Sequence, residues 1–159
     1  MIKAKITRKR FLPMDRFQSI PAKVDIAVGL VGPKAAVKHA DSELSVAEIG
    51  TVHEFGTETI PARRWLSVAF SSQRELLKRA YSFAWKKQLK NPRLSLNAVA
   101  ASTGSLAARS IRLYMLKGPH FKPALSPETI KEKRKTSTDP TRPLFNKGQL
   151  AASISWMKI

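Results

Sequence analysis

The sequence predicts an α+β fold, with a largely antiparallel sheet from N- and C-terminal strands packed against two long helices. Three observations predict it. Apolar residues alternate with polar ones near both ends of the chain, the period of a half-exposed strand. Two stretches in the middle repeat apolar residues at helical spacing. The βαβ alternation of a dinucleotide fold is missing, and so is any Gly-x-Gly-x-x-Gly or phosphate-loop signature. A length of 159 residues suits one domain over 1–159.

Residues 2–7, Ile-Lys-Ala-Lys-Ile-Thr, read as a first strand. Pro13 and Pro21 bracket a loop. Residues 22–31 read as a second strand with Val24, Ile26, Val28 and Leu30 on one face, stopped by Gly32-Pro33. Ser45 caps a short helix over 46–54, with Glu48 three residues later completing a capping box, and Gly56 ends it. A long helix is expected near 65–90, on a stripe of Leu66, Phe70, Leu77, Tyr81 and Ala84 that Ala69, Ala80 and Phe83 widen.

Asn91-Pro92 breaks that helix and offers a cap for the next, near 94–116. Gly104 lies inside it, costs about 1 kcal/mol relative to alanine, and suggests a close helix crossing. Ser126-Pro127 starts a short helix over 127–134. Residues 135–143 carry turn chemistry with no core residue and are expected to be mobile. One helical turn over 147–152 and a strand from Ser153 to Ile159 close the chain.

The charge balance points to a partner. There are 29 Lys and Arg against 11 Asp and Glu, a net charge of +18, and self-repulsion on that scale favours an anionic counterpart. The charges are blocked. From Ala40 to Ala62 there is no Lys or Arg but five acids, of which Asp41, Glu43, Glu48 and Glu58 form a candidate acidic patch and Glu54 is the fifth. No acid lies between Glu75 and Glu128, where Lys78, Lys86, Lys87, Lys90 and Arg93 form a candidate basic face. Oppositely charged surfaces let copies stack head to tail. The alternative is that these are solvated helix faces.

Several chemistries are disfavoured. The chain has no cysteine, so no disulfide frame, thiolate nucleophile or zinc finger. No apolar run approaches the roughly 20 residues of a membrane span, and no signal peptide follows the basic start, so an intracellular product with no membrane partner is expected. His39, His53 and His120 do not have metal-ligand spacing. His53-Glu54 is an adjacent acid/base pair, but neighbouring helical residues point apart. No enzyme and no cofactor is expected. Trp65, Tyr81, Phe83 and Trp85 sit among basic residues, a pattern that stacks on bases, although Tyr81 and Phe83 fit better as core residues.

Two blocks carry a resemblance. The first runs from Val46 to Leu66 and contains Glu54-Phe55-Gly56-Thr57, then Ile60-Pro61-Ala62-Arg63, then an aromatic and Leu66. The second contains Leu125-Ser126-Pro127-Glu128-Thr129-Ile130 with Lys133, then Pro143-Leu144-Phe145 and Gly148-Gln149-Leu150 ahead of Ser153-Ile154. In order and spacing they resemble tailed-phage neck and tail-completion proteins of the Mu-type virion-morphogenesis kind. Arg64 stands where that pattern has Pro, and Asn146-Lys147 replaces its Asp-Thr.

The resemblance implies a structural virion protein at the head–tail junction, a tail-completion or tail-terminator ring made in the host bacterial cytoplasm. It implies a homo-oligomer, a hexameric ring, between the head connector or adaptor protein and the tail tube protein, with genomic DNA passing through the lumen. Glu54, Phe55, Gly56, Thr57, Pro61, Arg63, Arg64, Gly148 and Leu150 are then candidate subunit-interface residues. A purely structural role for them is the alternative: Gly56 and Gly148 suit left-handed turns, and Gly148 would place Leu150 and Ile154 inward. Rival readings of the whole chain are a basic nucleic-acid-binding protein and a morphogenesis factor absent from the mature virion.

Overall fold

Residues 24–40, 42–91, 95–117, 121–145 and 147–159 are described by the structure, a computed structural model. The expected strand at 2–7, Asp41, Arg93, His120 and Asn146 lie outside the described residues. Chain order is β1 (Ile26–Gly29), α1 (Pro33–Ala36), α2 (Val46–Phe55), α3 (Trp65–Lys90), α4 (Leu96–Lys117), α5 (Pro127–Lys133), α6 (Gln149–Ser153) and β2 (Ser155–Lys158).

The two strands among the described residues, β1 and β2, pair antiparallel, with Val28 opposite Trp156 and Gly29 opposite Ser155. The α+β expectation holds: one two-stranded sheet packs on two long helices among the described residues. Both strands are shorter than expected. β1 ends where Gly29 takes φ +146, outside the range of strand residues. β2 begins later because Ser153 closes α6 and Ile154 makes the turn. The Ser155 hydroxyl then donates to the Val31 carbonyl, tying the two strand ends.

Capping chemistry sets most helix boundaries. Ser45 and Glu48 form the reciprocal capping box of α2, and Gly56 ends that helix at φ +80. A Cβ there would lie 2.8 Å from the Ala62 amide nitrogen, so only glycine fits the turn. Ser126 caps α5, with Pro127 at its first position. Two expectations need correction. Gly32-Pro33 does not simply stop a strand: Pro33 opens the short helix α1, where its missing N–H costs nothing. Asn91 does not cap α4, because the Ser95 hydroxyl takes the Ala98 amide instead.

The core gathers Val46, Trp65, Ala69, Ile111, Leu150 and Ile154. It lies where α2, the first turns of α3, the second half of α4 and α6 meet. Full burial of side chains the size of Trp65, Ile111 and Ile154 contributes roughly 1.5–3 kcal/mol each. Gly148 takes the left-handed conformation and turns Leu150 and Ile154 inward, as expected. The 135–143 segment runs back to the helices: an Arg142 guanidinium nitrogen donates to the Met115 carbonyl at 2.9 Å, and Pro143 is buried.

Gly104 does not mark a helix crossing. It makes room for the Trp156 indole, whose ring atoms would lie 2.4–2.7 Å from a Cβ at this position. Gly104→Ala gains about 1 kcal/mol of helix propensity but forces a packed ring to move, which costs about 1–3 kcal/mol. The clash outweighs the propensity, so a net destabilisation of about 1 kcal/mol, and no more than about 2, is expected by urea denaturation.

Candidate functional site

The first motif block folds into a tight corner between α2 and α3. Helix α3 begins at Trp65 with no side-chain cap of its own. The carboxylate of Glu54, reaching across from α2, accepts the Leu66 amide at 2.8 Å and the Ser67 amide at 3.2 Å, and also the Ser67 hydroxyl. A negative group at the positive end of a helix, holding its second and third amides, replaces an ordinary N-cap. The Trp65 indole N–H donates to the Gly50 carbonyl at 3.0 Å, and the Arg63 amide to the His53 carbonyl at 2.8 Å. Gly50 is bare because a Cβ would sit 2.1 Å from a Leu30 methyl.

The nine residues expected at a subunit interface therefore divide. Glu54, Arg63 and Leu150 are buried inside the protomer and engaged there. Gly56 and Gly148 hold positive-φ turns. Phe55, at 77% exposure, faces outward, and so do Thr57, Pro61 and Arg64. Arg64 adopts φ 44. A proline ring locks φ near −65°, so the residue that stands in the resembling pattern cannot occupy this backbone as it is built here.

The acidic run is partly consumed within the protomer. Glu54 is the cap of α3, Glu48 belongs to the capping box, and Glu43 pairs with Lys38. Glu58 is exposed and makes no ion pair among the described residues. On the basic side, Lys78, Lys86, Lys87 and Lys90 are all exposed on α3, with Lys78 bonded to Glu75.

Tyr81 and Phe83 of α3 do not follow the core expectation. Only Trp65, Ala69 and Gln88 of this 26-residue helix are fully buried. Phe83 is 70% exposed, Leu76 48% and Tyr81 44%. The stripe is continuous, but the core ends after the first turns, so the same pattern runs out onto the surface. Two grooves flank the α3–α4 seam. One, of about 490 Å³, is lined by Leu76, Arg79, Phe83, Lys87, Val99 and Leu106. The other, of about 620 Å³, lies between the sheet and α3, with Val28, Phe70, Arg74 and Tyr81 on its walls. Cations and large apolar side chains thus share one surface.

A second feature was not legible in the sequence. His53, Arg63 and Lys133 come from α2, the corner and α5, and they meet. One Arg63 guanidinium nitrogen faces His53 Nδ1 at 3.5 Å, and Arg63 Nε donates to the Pro123 carbonyl. His53 and Glu54 diverge, one toward Arg63 and the other toward α3. Burial, with Arg63, His39 and Lys133 nearby, pulls the His53 imidazole down to about 4. Burial also lowers Lys133, opposed by Asp139 and reinforced by Arg63, and lowers Arg63. The only hint in the sequence is that the two motif blocks carry these residues. Among the described residues, no three of His, Asp or Glu come together as a metal site.

No protein-family model matches the chain, and no match to a curated protein or a solved structure was found.

Two outcomes follow from this geometry. Removing the carboxylate in Glu54→Ala leaves the Leu66 and Ser67 donors without their partner. It should cost about 2–3 kcal/mol in chemical denaturation, with helix content falling in the same transition. His53 stays neutral in the folded chain from its ordinary value near 6.5 down to about 4, while the unfolded chain takes up a proton across that window. Its contribution to stability is therefore lost as pH falls from 6.5 to 4. His53→Gln should flatten the dependence of Tm on pH there, measured against wild type in the same buffers.

Proposed function

We propose that this chain is a structural virion protein of the head–tail junction of a tailed phage. It forms a homo-oligomeric ring, of six copies by the resemblance, between the head connector or adaptor protein and the tail tube protein. Its work is assembly rather than turnover. The observation that carries this reading is the distal α3–α4 surface, where Leu76, Tyr81 and Phe83 are exposed among Lys86, Lys87 and Lys90. A +18 chain whose described residues leave large apolar side chains and two grooves open offers a surface for another molecule to cover.

The groove lined by Leu76 and Phe83 receives the neighbouring protomer, in a heterologous contact that closes as a ring. Glu58 supplies negative charge to that contact, and Phe55 extends it from the corner. The remaining lysines of α3 face the DNA that passes through the lumen, where phosphate neutralises them. The two motif blocks support the resemblance from inside the protomer: together they build the α2–α3 corner and the α5–α6 region.

The exposure of Tyr81 and Phe83 beside lysines also favours a second reading, a nucleic-acid-binding protein that uses them to stack on bases. Salt-dependent DNA binding by a monomer that forms no ring would select it.

The test is a paired substitution, Leu76→Asp with Phe83→Ser, in the full chain. Leu76 is 48% exposed and Phe83 70%, so folding stability should change by no more than about 0.5 kcal/mol each. Rings seen by electron microscopy and sedimentation should be lost, and wild-type rings should weaken as salt rises. Rings that survive the double substitution would refute the proposed contact. Purified particles that lack the chain would refute the virion role and leave a morphogenesis factor.

A further inference from the structure

We propose that the cleft between α2, α5 and the turn before α6 is a carboxylate-binding site, with His53 Nε2–H and the Lys133 ammonium as its donors. The cleft has a volume of about 260 Å³ and is walled by His53, Thr129, Lys133, Ile49, Leu144 and Gln149. None of its described lining residues is acidic. Lys147 and His39 stand at the same cleft. The proposal does not depend on the ring reading.

The donors are set by their neighbours. A guanidinium nitrogen of Arg63 has only protons to offer, so the His53 Nδ1 that faces it accepts. The proton of the neutral ring then sits on Nε2, which becomes a donor. Lys133 Nζ bonds to the Arg142 carbonyl at 2.6 Å and keeps two further protons. Arg63 is 8% exposed, and among the described residues no carboxylate comes within ion-pair distance of Arg63 or Lys133. Buried cations are ordinarily paired, because desolvating a charge without a counter-ion is costly. Asp139 acts on Lys133 from beyond ion-pair distance, and a carboxylate in the cleft would complete the pairing.

The lowered value of Lys133 agrees with this: burial weighs on its ammonium, Asp139 offsets part of that, and an anion in the cleft would relieve the rest. The walls say which anion fits. Ile49, Leu144 and Leu150 are apolar, so they suit the methylene stem of an acidic side chain, while the narrow, partly buried donors suit a two-oxygen head. A free carboxylate offers the same head, and the experiment separates the two sources.

The probe is sodium acetate, titrated into the full chain against sodium chloride at matched ionic strength. His53 ring signals are read by NMR and Tm by calorimetry. Acetate should move the His53 signals saturably. At a tenfold excess over its Kd it should raise Tm by about 3–5 °C beyond chloride. Lys133→Met should abolish that excess, and Lys133→Arg should keep it. An equal response to acetate and chloride, or an undiminished acetate response in Lys133→Met, would overturn the site. Sedimentation then assigns the source. Weaker self-association of Lys133→Met places the carboxylate on a second copy, and unchanged self-association with the acetate response lost places it on a free carboxylate.

Discussion

A buried carboxylate holds the start of the longest helix. Helix α3 has no cap from its own flanking residues, and Arg64 before it sits in the left-handed region, which costs a residue with a Cβ roughly 1–2 kcal/mol. Glu54 supplies the missing cap from the end of α2. Its bonds to the Leu66 and Ser67 amides fix where α3 begins and the angle at which it leaves α2. Trp65 is then delivered into the core with its indole on the Gly50 carbonyl. Helix α4 packs along α3, the sheet packs on α4, and Trp156 fills the gap at Gly104. Each of these placements inherits the direction set at the corner.

The excess of positive charge has two different uses. Some cations serve the interior: Arg112 donates to the Ala151 and Ile154 carbonyls at the end of α6, Arg142 to the Met115 carbonyl near the end of α4, and Arg63 to the Pro123 carbonyl. Cationic donors at helix C-termini satisfy the orphan carbonyls and suit the helix dipole. The α3 lysines have no such work and stand in solvent. Net charge alone does not separate the two groups. Arg112 lies in the same acid-free stretch as Lys86 and Lys87, yet it is a structural residue.

The asymmetry of the core is what leaves a surface for partners. The main apolar cluster lies at the α2–α6 end, and beyond Ala69 helix α3 buries only Gln88, although α4 still buries Val99 and Ala100 there. The apolar period of α3 does not stop where the core stops. An amphipathic stripe longer than the core it serves becomes an exposed, adhesive face, here rimmed with lysine and arginine.

The sequence by itself determined the α+β class, the two long helices and most helix ends, though not the short helix α1, because these depend on local chemistry: the Ser45–Glu48 box, Gly56, Ser126-Pro127 and the period of α3 and α4. It also marked the Val46–Leu66 and Leu125–Ile154 blocks as unusual. Only the tertiary structure decided what their residues do. Glu54 has the same local context as an exposed helical glutamate, and its role as a cap for α3 exists only once the chain turns back at Gly56. Tyr81 and Phe83 have the spacing of core residues, but periodicity reports which side of a helix is apolar, not whether anything lies against that side. The meeting of His53, Arg63 and Lys133 depends on contacts between residues far apart in the chain, and no local pattern encodes such a distance.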